Sequence, residues 1–196
     1  MSDTNTIQTF DQIIATAQAG VDELLAQGRT DDANRKTYNL AADLAECWPG
    51  DDRPRERRHL EAGLAAAERC LAWRRELGKG PGPFAIAHWV QGAHLVALAH
   101  RAAQDRAALA ARAVEALEES LRLAREVAGD DRDYLVITNT GFLAVARELA
   151  APGTGRPALE EARAAFRAMA EAQPARREDV QYGLASLEVA VQRYLA

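Results

Sequence analysis

The sequence predicts an all-α fold of about eight helices, and three observations carry that expectation. The chain is rich in Ala, Leu, Glu and Arg and poor in β-branched runs, a composition that favours helix. Between breaks, apolar residues recur at three- and four-residue spacing, the period of one helix face. The breaks themselves are clusters of Gly and Pro, which end helices and open loops.

Taken in order, Phe10, Ile13, Ile14, Ala17, Val21, Leu24 and Leu25 form the stripe of a first helix over about 8–27, closed by Gln27-Gly28-Arg29. A second, about 31–47, stops at Trp48-Pro49-Gly50-Asp51-Asp52. A third, about 54–77, takes Asp52 as its N-cap and ends at Gly78-Lys79-Gly80-Pro81-Gly82-Pro83. The fourth and fifth, about 84–102 and 105–128, are followed by Gly129-Asp130-Asp131. The run Tyr134-Leu135-Val136-Ile137-Thr138 looks strand-like, but it continues into Phe142, Leu143 and Val145 with no turn signal. It is therefore read as part of a sixth helix, about 132–150, with Asp131 as N-cap. Pro157 suits the first turn of a seventh, about 157–172, and an eighth follows over about 177–195.

The chain has 196 residues, 24 Lys and Arg against 29 Asp and Glu, and a net charge of −5. That length suits one domain over 1–196, with residues 1–7 expected to be disordered. The acidic balance argues against a general nucleic-acid binder. The start carries no basic cluster and no apolar core, unlike a signal peptide. The most apolar stretch, Phe84 to Ala99, is interrupted by His88, Gln91 and His94, so no membrane span is expected. Cys47 and Cys70 do not make a disulfide framework. In a hairpin turning near Gly50 they fall more than ~20 Å apart, beyond disulfide reach. A reducing cytoplasm is the expected location.

Motifs that carry chemistry are scarce. His88, His94 and His100 are six apart, so neighbouring rings point about 120° apart around a helix and cannot share a metal. His59 stands alone. No zinc-protease, Cys-pair, phosphate-loop or nucleophile-elbow motif occurs, and no cofactor or metal is expected. The glycines at 78–82 are interleaved with prolines that remove amide donors, so they read as a linker. Glu118-Glu119 and Glu160-Glu161 have Arg three or four residues away and read as surface ion pairs. One local rule is broken: Arg53, Arg55, Arg57 and Arg58 crowd a helix start, where the macrodipole disfavours cations. A solvated run explains this; an acidic partner docking there is the alternative.

The helices also show a repeat. Aligning Gly63, Ala113 and Ala162 brings Ala67, Leu117 and Phe166 together, then Cys70, Ser120 and Met169. The same offset aligns Ala42, Gly92 and Gly141 in the preceding helices, so helix pairs recur every ~50 residues. Small residues at aligned sites let helix backbones approach closely.

Ala162-x3-Phe166 followed by Pro174, and Ala113-x3-Leu117-x2-Ser120, resemble the second-helix half of a tetratricopeptide repeat, with Gly92 and Gly141 where its first helix keeps a small residue. The resemblance spans residues 31–195. The period is ~50 instead of 34, and the large aromatic that opens the family motif is missing from most repeats, so the chain is tetratricopeptide-like. The resemblance implies a right-handed α-solenoid of about four antiparallel helix pairs, with first helices lining a concave side that binds proteins or peptides. The family's carboxylate clamp would fall on Asn39 and Asp43, Trp89 and Ala93, and Thr138 and Phe142, which lack the cations it needs.

The expected function is protein or peptide binding, as a cytoplasmic adaptor, regulator or accessory subunit, with Asn39, Ile86, Trp89, Val96, Leu135, Thr138 and Phe142 as candidate partner-binding residues. Whether that stripe is an open groove or core covered by the first helix stays open at this point. So does a homodimer, which would show as an apolar outer face. The alternative is an enzyme or sensor with a small-molecule pocket built from Trp89, His88, His94 and Tyr134.

Overall fold

The structure is a computed structural model describing residues 8–196; the disorder expected for 1–7 lies outside the described residues. Its helices are α1 (Phe10–Ala26), α2 (Thr30–Leu44), α3 (Arg57–Glu76), α4 (Pro81–Arg101), α5 (Arg106–Ala128), α6 (Tyr134–Ala150), α7 (Arg156–Ala172) and α8 (Arg177–Leu195), with one 3-10 turn at Pro174–Arg176. The fold is an all-α array, and no strand occurs among the described residues.

The boundaries that moved have physical reasons. α2 stops at Leu44 and α3 starts at Arg57, leaving a loop over 45–56 where a shorter break over about 48–53 was expected. α4 starts early because Pro81 sits in the first turn, where its missing N–H leaves nothing unsatisfied. Asp52 does not cap α3: it is 97% exposed, and Glu56 takes the cap position. Nor does Asp131 cap α6. Its carboxylate pairs with Arg125 at 2.9 Å, while Asp133 accepts from the Leu135 amide at 2.8 Å. At α1, Thr9 and Gln12 close a reciprocal capping box.

Two layers follow from the packing. α2, α4, α6 and α8 contact one another in sequence, while α3, α5 and α7 each pack between the even-numbered helices that flank them. α1 covers α2. α4 and α6 form the centre, with Val90, Leu95, Val96, Val136 and Val145 almost wholly buried.

The small residues aligned in the sequence are points of close approach. A Cβ at Gly92 would come 2.4 Å from Leu117 of α5, one at Gly141 would come 2.7 Å from Leu187 of α8, and one at Gly63 would strike the His94 ring. Gly155 is tighter still. A Cβ there would lie 2.0 Å from the Ala144 carbonyl oxygen, which is main chain and cannot rotate away. Gly155→Ala should therefore destabilise the fold by about 3 kcal/mol in chemical denaturation. Gly80→Ala, with φ −72° and nothing within 4 Å, should change it by less than about 0.5 kcal/mol.

Candidate aromatic cleft

The loop over 45–56 determines the shape of the even-numbered layer's inner side. It carries Trp48 inward, where the indole N–H donates to the Ala42 carbonyl at 2.7 Å. Four arginines fix the loop. Arg193 of α8 donates to the Glu46 and Asp51 carbonyls at 2.8 and 2.9 Å. Arg55 donates to the Leu44 carbonyl at 2.9 Å and pairs with Asp51 at 2.7 Å. Arg53 binds Asp51 through two nitrogens, and Arg101 pairs with Glu46. The Arg53 guanidinium, with Arg55 beside it, holds the Asp51 carboxyl well below the usual carboxylate range.

Trp48 completes an aromatic chain. Its ring lies 5.8 Å from Trp89, Trp89 meets Phe142 edge-on at 5.1 Å, and Tyr182 of α8 stacks on Trp48 at 6.1 Å. Together with Tyr38, Ile86, Tyr134, Leu135, Thr138, Gly183 and Ser186, the two tryptophans and Phe142 wall a cleft of about 180 Å³. Its hydroxyls turn inward on their own helices: Thr138 donates to the Tyr134 carbonyl at 2.8 Å and Ser186 to the Tyr182 carbonyl at 2.9 Å. Burial raises the Tyr38 and Tyr134 phenols above their ordinary range, so both stay neutral. The walls thus offer apolar and aromatic surface. Trp89 is 8% exposed, and its buried indole N–H has no acceptor among the described residues.

Five of the seven residues named from the sequence meet here: Ile86, Trp89, Leu135, Thr138 and Phe142. Val96 does not join them. It is 1% exposed and packed in the core, because α4 is surrounded and every residue from Gly92 to Ala99 is buried. Asn39 is exposed and lines a second cleft of about 530 Å³ between α1, α2 and the loop, with Lys36, Asp43, Arg53 and the other side of Trp48. Nor does α1 cover the stripe; the 45–56 loop and α8 do. Trp48 and Tyr38 were missed as site residues. The available signal was a tryptophan inside loop punctuation, where an apolar ring must still find cover.

The residues of the alternative pocket do not converge. Trp89 and Tyr134 line the cleft, but His88 pairs with Gln91 at 3.1 Å and His94 sits against Gly63 with no exposed surface. His94 Nε2 lies 2.8 Å from the Ala41 carbonyl, and burial lowers its pKa to about 4. The ring is therefore neutral and donates that hydrogen bond. Both cysteines are buried free thiols; Cys70 packs beside Asn34, and burial pushes Cys47 up to about 12. No three His, Cys, Asp or Glu side chains group as metal ligands among the described residues, and none of the helices is long and apolar enough to cross a membrane. The exposed large apolar side chains, Leu25, Val127 and Tyr182, lie on three different helices. No family model, curated protein or solved structure matches this chain.

Proposed function

We propose that this chain is a tetratricopeptide-like helical-repeat module that binds a protein or peptide partner through the aromatic cleft, as a cytoplasmic adaptor, regulator or accessory subunit. The observation that carries this reading is the cleft's size and lining. About 180 Å³ is below the ~300–1,000 Å³ of small-molecule sites, and it suits one large apolar side chain of a partner. Aromatic walls supply most binding energy in such anchor pockets. The layered helices and the small residues at aligned sites support the repeat, and the free thiols fit a reducing compartment.

Selection of random peptides displayed against the whole chain tests this reading. Enriched peptides should share one large apolar residue. Tyr182 is 48% exposed and stacks on the outer side of the cleft wall Trp48, so Tyr182→Ala should leave the melting temperature unchanged while freeing Trp48 and weakening those peptides about tenfold. Peptides that bind wild type and Tyr182→Ala equally would place recognition elsewhere.

One observation favours a second reading. The cleft holding Asn39, Lys36 and Asp43 has a volume of about 530 Å³, within the range of small-molecule sites, and carries charges of both signs. A sensor would bind its ligand there, away from His88 and His94.

A further inference from the structure

Gly20 stands in the interior of α1, where glycine is among the least favoured residues. The reason for it lies across the helix pair. A Cβ at position 20 would overlap Lys36 Cε and come 2.9 Å from Lys36 Nζ, and the three nearest atoms all belong to that side chain. The glycine thus leaves the slot through which the Lys36 amine crosses from α2 toward α1. No counter-ion meets it there. Lys79, the other lysine of the chain, pairs with Asp31 at 2.8 Å, whereas Lys36 makes no ion pair among the described residues.

Lys36 lines the cleft of about 530 Å³ between α1, α2 and the 45–56 loop, and so does Asp43. Seven residues separate the two, so they share one face of α2 at an axial spacing of about 10.5 Å. The Asp43 carboxylate also makes no ion pair among the described residues. Desolvation by the cleft walls pushes its pKa up, against the pull of Arg53 and Arg55. The other two charges of the cleft are already spent on each other. Arg53 binds Asp51 through two nitrogens at 2.8 and 2.9 Å, and its guanidinium lies 4.5 Å from the centre of the Phe10 ring. One uncommitted cation and one uncommitted anion therefore remain, two helical turns apart. Between them the lining is the Asn39 amide and the apolar Ile13, Ala17 and Trp48.

We propose that this cleft binds an apolar zwitterion, an amino acid or dipeptide with both ends free. Its carboxylate would meet Lys36, its ammonium Asp43, and its apolar body the Trp48 indole and Ile13. The lengths agree: two extended residues span about 7 Å, and a charge-assisted hydrogen bond adds about 2.8 Å at each end. A ligand with one charge would leave the opposite ion of the cleft without a partner. The proposal rests on the second reading above, a small-molecule site beneath α1, and names the chemistry of its ligand.

The test is methyl NMR of the whole chain, following Ile13 and Leu40 of this cleft during titration with leucine and leucyl-leucine. Leucinamide, which keeps only the ammonium, and N-acetyl-leucine, which keeps only the carboxylate, are the controls. Saturable shifts with the free forms are expected, and each control should bind at least about fivefold more weakly. Tighter binding of leucine identifies an amino acid as the ligand, and tighter binding of leucyl-leucine a dipeptide. Lys36→Met and Asp43→Asn should each weaken binding about fivefold. Gly20→Ala should weaken it similarly by pushing the Lys36 amine out of its slot. Its melting temperature should stay at or above that of wild type, because alanine is the better helix former, so misfolding cannot mimic the loss. Equal binding of free and blocked forms, or of wild type and Gly20→Ala, would overturn the zwitterion while leaving a small-molecule site in place. Silence of Ile13 and Leu40 with every probe up to about 10 mM would remove that site as well.

Discussion

Trp89→Ala should lower the unfolding free energy by about 3–5 kcal/mol, because it empties a site that is 8% exposed and touches two other rings. The loss has two parts. Removing the indole forfeits its burial, and it leaves a void between Trp48 and Phe142 that the surrounding helices cannot close. α4 already meets Leu117 of α5 at Gly92, and α6 meets Leu187 of α8 at Gly141, both with no room for even an added Cβ. Urea denaturation measures the effect, and a change below about 1 kcal/mol would mean that Trp89 is not part of the core. Because Trp89 supports the fold as well as the cleft, Tyr182→Ala is the variant that isolates binding.

Acidification should destabilise the protein in a window set by His94. In the unfolded chain this side chain takes up a proton near its ordinary value of 6.5, whereas burial lowers it to about 4 in the fold. Between those values the unfolded state binds the extra proton, so stability falls as pH falls. The difference amounts to about 3 kcal/mol by pH 4, complete only below the folded value. Stability measured from pH 7.5 to 4 in wild type and His94→Gln checks this. The variant is less stable at pH 7.5 but should lose most of the slope. Below about pH 4 a second loss should appear in both proteins, because Asp51, held low by Arg53 and Arg55, contributes stability that vanishes once its carboxylate is protonated.

Much of the helical framework was legible in the sequence because its signals are local. Capping residues, proline at helix starts and glycine after helix ends act within a few residues; Gly129 ends α5 with φ 66°, as a left-handed cap should. The meeting of Trp89 with Phe142 was also legible, since both adjoin aligned glycines on neighbouring inner helices. The cleft's closure was not. It depends on Arg193 reaching the carbonyls of Glu46 and Asp51, and on Tyr182 reaching Trp48, pairings set by how the array bends as a whole. Val96 was misplaced for a different reason. A helix buried on nearly all sides has no polar face to orient it, so periodicity cannot say which apolar residue looks into a cleft and which into the core. At the α6 start, Asp130, Asp131 and Asp133 compete within four residues, and tertiary contacts decide among them.

The cleft between Trp48, Trp89, Leu135 and Phe142 as an anchor pocket is the claim on which the function rests. Methyl NMR of the whole chain during titration with N-acetyl-leucinamide and N-acetyl-tryptophanamide tests it directly. Ile86 and Leu135 line the cleft, while Val96 lies on the same α4 but is 1% exposed in the core. Saturable shifts at the Ile86 and Leu135 methyls, with Val96 unmoved, are the predicted result. Silence at Ile86 and Leu135, or a shift at Val96 as large as theirs, would contradict it.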